Sequence, residues 1–258
     1  MVEQILTEGS LELTGRLVAA TNASFLGEVT LDGTSLPCIY KPVLGERPLW
    51  DFPDGTLAGR ERAARLVSEA GAWGLVPPTV LRNGRFGPGM CQRWIPVDEE
   101  RAYVDVVAAD FDEGGWIAVL AAEDPHGDAV LVVHRDDERL RDMAVFDAVI
   151  NNADRKGGHV LAAVDDTLWG CDHGVCFHAE NKLRTVMWGW ADEPLRPRDL
   201  ASLEELSAAL SGDLGSVLAS LLSVAEVAAL GQRVETLRVV GRMPVPDGTW
   251  PAIPWPAF

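Results

Sequence analysis

Asp154-Arg155-Lys156-Gly157-Gly158-His159 and, about a dozen positions later, Cys171-Asp172-His173-Gly174 form the densest grouping of acids, bases and glycines in this chain. Both stretches are polar and flanked by apolar sequence, so a hairpin between them brings Asp154, His159 and Asp172 to one end of a cleft. Phosphoryl transfer needs such an arrangement: one carboxylate near an acceptor hydroxyl, a second holding a metal, and the metal bridging the phosphates. Lys41 ends the run Cys38-Ile39-Tyr40 on a strand expected to be half buried. An ammonium there needs a phosphate or a carboxylate, and Glu61, near the start of the next helix, is the natural carboxylate. The polar Thr21-Asn22-Ala23-Ser24 stretch between two strands suits closure over a nucleotide with its backbone N–H groups and the Ser24 hydroxyl. Taken singly, each has a plainer reading: a pair of Asp-Gly-type turns, a surface lysine and an ordinary loop.

Those residues must be positioned by the elements around them. Residues 11–43 alternate and break as three antiparallel strands, with an Asp-Gly turn at Asp32-Gly33. Residues 59–73 place Ala63, Leu66, Val67 and Ala70 on one helical face. Residues 76–95 return to strand character around the Asn83-Gly84 turn signal, and Pro96 with the acidic patch after it reads as a linker. Leu140, Met143, Ala144, Ala148 and Val149 form the stripe of a helix ending at Asn151-Asn152. Two short strands, helices over 198–211 and 214–237, and a Pro/Trp-rich tail follow. The expected fold class is α+β and two-lobed: residues 1–97 as a sheet with one helix, residues 98–258 mainly helical.

Composition narrows the chemistry. With 258 residues, 47% of them apolar, the chain can bury one large core or two smaller ones sharing a cleft. A net charge of −17 argues against a nucleic-acid groove and against docking on anionic membranes, so a phosphate ligand must rely on a few placed cations, backbone N–H groups and a carboxylate-bound metal. No apolar run is long enough for an integral membrane segment: the 214–231 stretch carries Glu226 and breaks at Gly231. The N-terminus lacks the pattern of a secretory signal, and the expected compartment is the cytoplasm. Cys38, Cys91, Cys171 and Cys176 are expected as buried free thiols.

In order and spacing the chain resembles the phosphatidylinositol 3- and 4-kinase superfamily, most closely its short actinobacterial kinase-like members, over residues 11 to 235. The catalytic loop of that superfamily, Asp-Arg-His-x-x-Asn, would be Asp154 to His159, and its metal-binding Asp-Phe-Gly or Asp-Asn-Gly would be Asp172-His173-Gly174. The resemblance implies ATP between the lobes, Lys41 on its phosphates, Glu61 paired with Lys41, residues 21–25 covering the phosphates, and Gln92, Trp94 and Ile95 in the hinge along adenine. It also implies Mg2+ or Mn2+ on Asp172, with Asp154 orienting the attacking hydroxyl of a protein or lipid acceptor. Two positions depart from the pattern. Lys156 replaces a histidine and His159 an asparagine, and an imidazole either favours a softer ion such as manganese over magnesium or stands outside the metal's ligands.

Beyond that set, the acceptor is indicated by Lys182 and Arg184, thin support for an anionic lipid headgroup, and by Thr185, a hydroxyl suited to autophosphorylation, with a small-molecule acceptor also open. His126, His134, His173 and His178 are expected to be structural or exposed. Trp50, Trp73, Trp116, Trp169, Trp188 and Trp190 are expected mostly in the core, the acidic stretches 98–113 and 136–138 on solvated faces, and the tail as a cap on the helical half. Two rival readings stand beside the kinase: a nucleotide-binding pseudokinase scaffold, and a metal-dependent hydrolase using Asp154, His159, Asp172 and His173.

Overall fold

The computed structural model describes residues 1–17, 22–53 and 56–258, so Thr21 lies outside the described residues. A five-stranded antiparallel sheet of order β1-β2-β3-β5-β4 is built from β1 (Ser10–Arg16), β2 (Phe25–Leu31), β3 (Thr34–Pro42), β4 (Thr79–Gly84) and β5 (Gly87–Arg93). The expected meander is present, and its β2–β3 turn is the two-residue Asp32-Gly33 with φ of 48° and 77°, the left-handed pair that matches strand twist. The β4–β5 turn lies two residues later than its Asn-Gly signal: Asn83 and Gly84 are still paired, with Pro88 and Gly87, and Arg85-Phe86 make the turn.

Helix α2 (Leu57–Ala70) starts at Thr56, whose hydroxyl accepts from the Gly59 N–H at 2.9 Å. It buries Ala63, Ala64 and Val67 in the main core. The first helix, α1 (Val2–Glu8), was not anticipated. It seats Ile5 and Leu6 on the sheet with Val29, Cys38, Val80 and Cys91, and its Glu3 carboxylate accepts from Arg62 at 3.0 Å and Arg65 at 3.1 Å on α2.

The linker expectation after Pro96 is corrected. Strands β6 (Val104–Ala108), β7 (Trp116–Glu123) and β8 (Ala129–Arg135) form a three-stranded sheet of order β6-β8-β7. Acidic residues such as Asp105 and Asp112 remain exposed. Val104, Val132 and Val133 are buried, so the apolar alternation was hidden by charged positions on the solvated face.

Helix α3 (Glu138–Ile150) is buried on nearly every side from Met143 onward, wider than the stripe expected. It ends at Asn151, whose φ of 53° is the left-handed C-cap that Asn tolerates. Hairpin β9 (Val160–Ala162) and β10 (Leu168–Gly170) follows, then α4 (Pro197–Leu210), α5 (Asp213–Leu218) and α6 (Val224–Val240). Among the described residues no helix is long and apolar enough to cross a membrane.

Candidate active site

Lys41 is the penultimate residue of β3 and sits opposite Met90 of β5. Its ammonium donates to Glu61 Oε1 at 3.0 Å and to a carboxylate oxygen of Asp172. Glu61, 3% exposed on α2, uses its other oxygen to accept from the His173 backbone N–H at 3.0 Å. One buried carboxylate therefore ties strand, helix and the loop after β10 together. Burial works against the Lys41 charge, but the Glu61 and Asp172 carboxylates outweigh it and hold its pKa above the ordinary lysine value. The Lys41 ammonium, against a burial penalty, holds the Asp172 carboxyl well below the usual carboxylate range. Asp172 has φ of 57°. A left-handed non-glycine residue costs on the order of 1–3 kcal/mol and persists only where its surroundings impose it. Here the backbone before it is pinned by Gly170 N–H to Leu75 O at 2.8 Å and Cys171 N–H to His159 O at 3.1 Å, and the backbone after it by His173 N–H to Glu61 Oε2 at 3.0 Å.

The loop after α3 is organised by a residue to which composition assigned no role. Arg155 is fully buried; its Nε donates to Asp147 Oδ2 at 2.7 Å and its Nη2 to Asp147 Oδ1 at 2.9 Å. Its Nη1 donates to the carbonyls of His159 and Cys171, both at 3.1 Å, and its Nη2 reaches His173 Nε2 at 2.8 Å. The guanidinium thus binds the Asp154 loop to the Asp172 loop. A carboxylate inside the apolar run Ala144–Ile150 requires a buried cation, and that requirement was the available sequence signal for Asp147. Asn152 Oδ1 accepts from the Asp154 N–H at 3.0 Å and fixes the turn that presents the Asp154 carboxylate. Lys156 Nζ lies 3.5 Å from Asp154 Oδ2.

His159 Nδ1 is 3.0 Å from the Asp154 carbonyl oxygen, which can only accept, so Nδ1 carries the proton. Nε2, with its lone pair, lies 3.4 Å from Asp172 Oδ2. Burial lowers the His159 pKa below its usual value and keeps the ring neutral.

A cavity of about 370 Å³ collects Ser24, Lys41, Glu61, Asp154, His159 and Asp172, six of the residues singled out in the sequence. Gln92, Trp94 and Ile95 do not line it. The Gln92 amide donates to Thr79 Oγ1 at 2.8 Å, Trp94 N–H bonds the Pro37 carbonyl at 2.9 Å, and Met90 is the β5 residue on the wall. The wall also includes Lys156, from the same motif as Asp154, and Glu46 and Phe258, which the sequence had not marked. The Glu46 carboxylate accepts from the first two amides of α2, Leu57 at 2.9 Å and Ala58 at 2.8 Å, and so holds the helix that carries Glu61.

The acceptor-side expectations are corrected. Thr185 is 3% exposed and its Oγ1 accepts from the Met187 N–H at 3.0 Å, so this hydroxyl is not presented for autophosphorylation. Lys182 is 4% exposed, paired with Asp51 at 3.2 Å, and lies over the rings of Trp50 and Trp250. Arg184 donates to the Ala153 carbonyl at 2.6 Å. Trp50, expected in the core, is 82% exposed. His173 is fully buried behind the cavity wall, with Nε2 on Arg155. Among the described residues no cluster of three or more His, Cys, Asp or Glu side chains could by itself hold an ion. The Asp172 Oδ2 and His159 Nε2 pair nevertheless fits a divalent ion that takes its remaining ligands from phosphate oxygens and water, with the imidazole shifting preference toward manganese.

No protein-family model matches the chain. Two solved structures share its fold: a Golgi casein kinase with Mn/ADP bound, at a TM-score of 0.56 and 13% identity over 93% of this chain and 74% of that one, and hydra Fam20 with sugar, at a TM-score of 0.52 and 14% identity over 92% and 86%. The fold is therefore an α+β, kinase-like one. In sequence, protein Rv2133c of Mycobacterium tuberculosis is 50% identical over 263 residues, spanning 98% of this chain and 94% of that protein. The chain belongs to the family of Rv2133c.

Proposed function

We propose that this protein is an ATP-dependent phosphotransferase of the phosphatidylinositol 3-/4-kinase-like type, moving the γ-phosphate to a hydroxyl. The observation that carries the reading is the convergence, in one cavity, of the Lys41–Glu61 ion pair, the Asp172–His159 pair and the Asp154 carboxylate. Residues 1–97 form the lobe that holds the nucleotide from the β3 side, and residues 98–258 the lobe that carries Asp154 and Asp172.

Lys41, aimed by Glu61, offers its ammonium to phosphate oxygens. A divalent ion held by Asp172 and His159 would supply the charge neutralisation that a loose phosphoryl transition state requires. Asp154, set by Asn152, accepts the hydrogen bond of the acceptor hydroxyl and takes its proton. Lys156 offsets the charge of that carboxylate. Ser24, just ahead of β2, lines the cavity, and in this reading its hydroxyl would face the phosphates.

The hydrolase reading needs His173 as a ligand, but that ring is fully buried, does not line the cavity, and has Nε2 on Arg155. The pseudokinase reading rested on His159, whose Nε2 lone pair stands beside Asp172 as a ligand would. With γ-labelled ATP, Mn2+ and an acceptor, Asp154→Asn should lower transfer by about 10²–10⁴-fold while ATP affinity holds. Asp172→Ala should lose metal-dependent ATP binding as well. Normal transfer by both variants would sink the assignment.

A further inference from the structure

We infer, resting on the phosphotransferase reading, that the acceptor is a small soluble alcohol and neither an extended peptide nor a membrane lipid. The case is made by what surrounds Asp154. An extended peptide docks through main-chain hydrogen bonds to free backbone groups beside the site. Two backbone donors there are already committed to the chain's own tail: Gly157 N–H bonds Ala257 O at 2.8 Å, and Thr185 N–H bonds Ala252 O at 3.0 Å. The Trp188 indole N–H also goes to Ala252 O, at 2.8 Å. Residues 252–257 therefore lie along the catalytic loop and the segment after Asp172, in the place a peptide acceptor would take. The fit is close. A Cβ built on Gly157 would come within 2.6 Å of Phe258 Cζ, so this glycine is what lets the ring reach the cavity wall.

A lipid headgroup fares no better. The cations of the segment after Asp172 are engaged within the chain, Lys182 buried against Asp51 and two tryptophan rings, and Arg184 half-buried, with Nε on the Ala153 carbonyl and its guanidinium over Trp250. A net charge of −17 opposes approach to an anionic bilayer. The cavity volume of about 370 Å³ lies near the lower end of ligand pockets, roughly 300–1,000 Å³, which leaves little room beyond phosphates and a compact acceptor. The wall beside Asp154 includes an ammonium, Lys156, and an aromatic ring, Phe258. Those surfaces suit a compact molecule with several hydroxyls and one apolar face.

The test supplies the full-length protein with γ-labelled ATP and Mn2+, offering three acceptor pools in parallel: the small-molecule filtrate of a cell extract supplemented with glycerol, inositol and simple sugars; a Ser/Thr peptide library; and phosphatidylcholine vesicles carrying phosphatidylinositol. Label should enter the small-molecule pool. Phe258→Ala should then raise KM for the labelled acceptor about threefold to tenfold, leaving KM for ATP unchanged. Preferential labelling of peptides or vesicles would overturn the inference while leaving the phosphotransferase reading intact. So would an unchanged acceptor KM in Phe258→Ala for the role given to the ring. ATP binding with transfer into none of the three pools would overturn the phosphotransferase reading itself, and this inference with it.

Discussion

His159 shows how a single residue type can be read for chemistry and what must be added to the reading. As a residue type it signalled only a departure from an asparagine and a bias toward softer ions. Its hydrogen bond to the Asp154 carbonyl settles which nitrogen carries the proton, and hence that the lone pair of Nε2 lies on the Asp172 side. His159→Asn should therefore raise Mg2+-supported transfer relative to Mn2+-supported transfer by about tenfold, measured as the ratio of rates under each ion and checked by titration calorimetry. An unchanged ratio would remove His159 from the ligand set. Lys41 was legible because a charge at the end of an apolar strand must have a partner, and Asp154 and Asp172 because they stand in polar, Gly-bearing segments flanked by apolar sequence. Asp147 carried a signal, a carboxylate inside an apolar run, but its partner Arg155 did not, since the buried guanidinium gains meaning only from the four groups it joins.

Helix α2 places Glu61, and its own position is set from elsewhere in the chain. Arg60, next to Glu61, is 1% exposed and its Nη2 donates to Glu226 Oε1 at 2.5 Å. Glu226 also closes the capping box at the start of α6, its Oε2 accepting from the Ser223 N–H at 2.8 Å. A buried pair of this kind is costly to break from one side, about 3–5 kcal/mol, because a charge is left without its partner. Glu226→Gln should accordingly lower the urea midpoint and weaken ATP binding, since α2 loses one of its tethers and Glu61 part of what fixes it beside Lys41. A midpoint that fell with ATP affinity unchanged would show that Glu46, at the other end of the linkage, suffices to position the helix. The helix itself was readable from its apolar spacing. Its tethers were not, because Glu46 and Glu226 lie in segments whose own patterns describe only a loop and a helix start.

At the scale of the whole molecule, His134 and His173 are both buried neutral, with burial the leading cause of their lowered pKa values. His134 lies on β8, 2.9 Å through Nδ1 from the Arg135 carbonyl, with Nε2 accepting from Gly189 N–H at 3.1 Å. A histidine depressed in the fold binds more protons when unfolded, so stability is full above the unfolded value of about 6.5 and falls as pH drops through it. The urea midpoint should thus be lower at about pH 5 than at about pH 7.5, and His134→Gln should flatten part of that slope. A flat profile in the wild-type protein would mean that these rings charge without penalty. The depressed carboxyl of Asp172 acts in a separate, more acidic window, below the ordinary carboxylate value of 3.8. The sequence by itself determined the meander, helices α2 and α3, and the candidates Lys41, Glu61, Asp154, His159 and Asp172, because apolar periodicity and unpaired charge are local properties. Only the tertiary structure decided that residues 104–135 form a sheet, that Thr185 and Lys182 are turned inward, and that Phe258 reaches the cavity. Those outcomes depend on contacts between segments far apart in the chain, such as Gly157 with Ala257 and Lys182 with Asp51, and no local pattern encodes them.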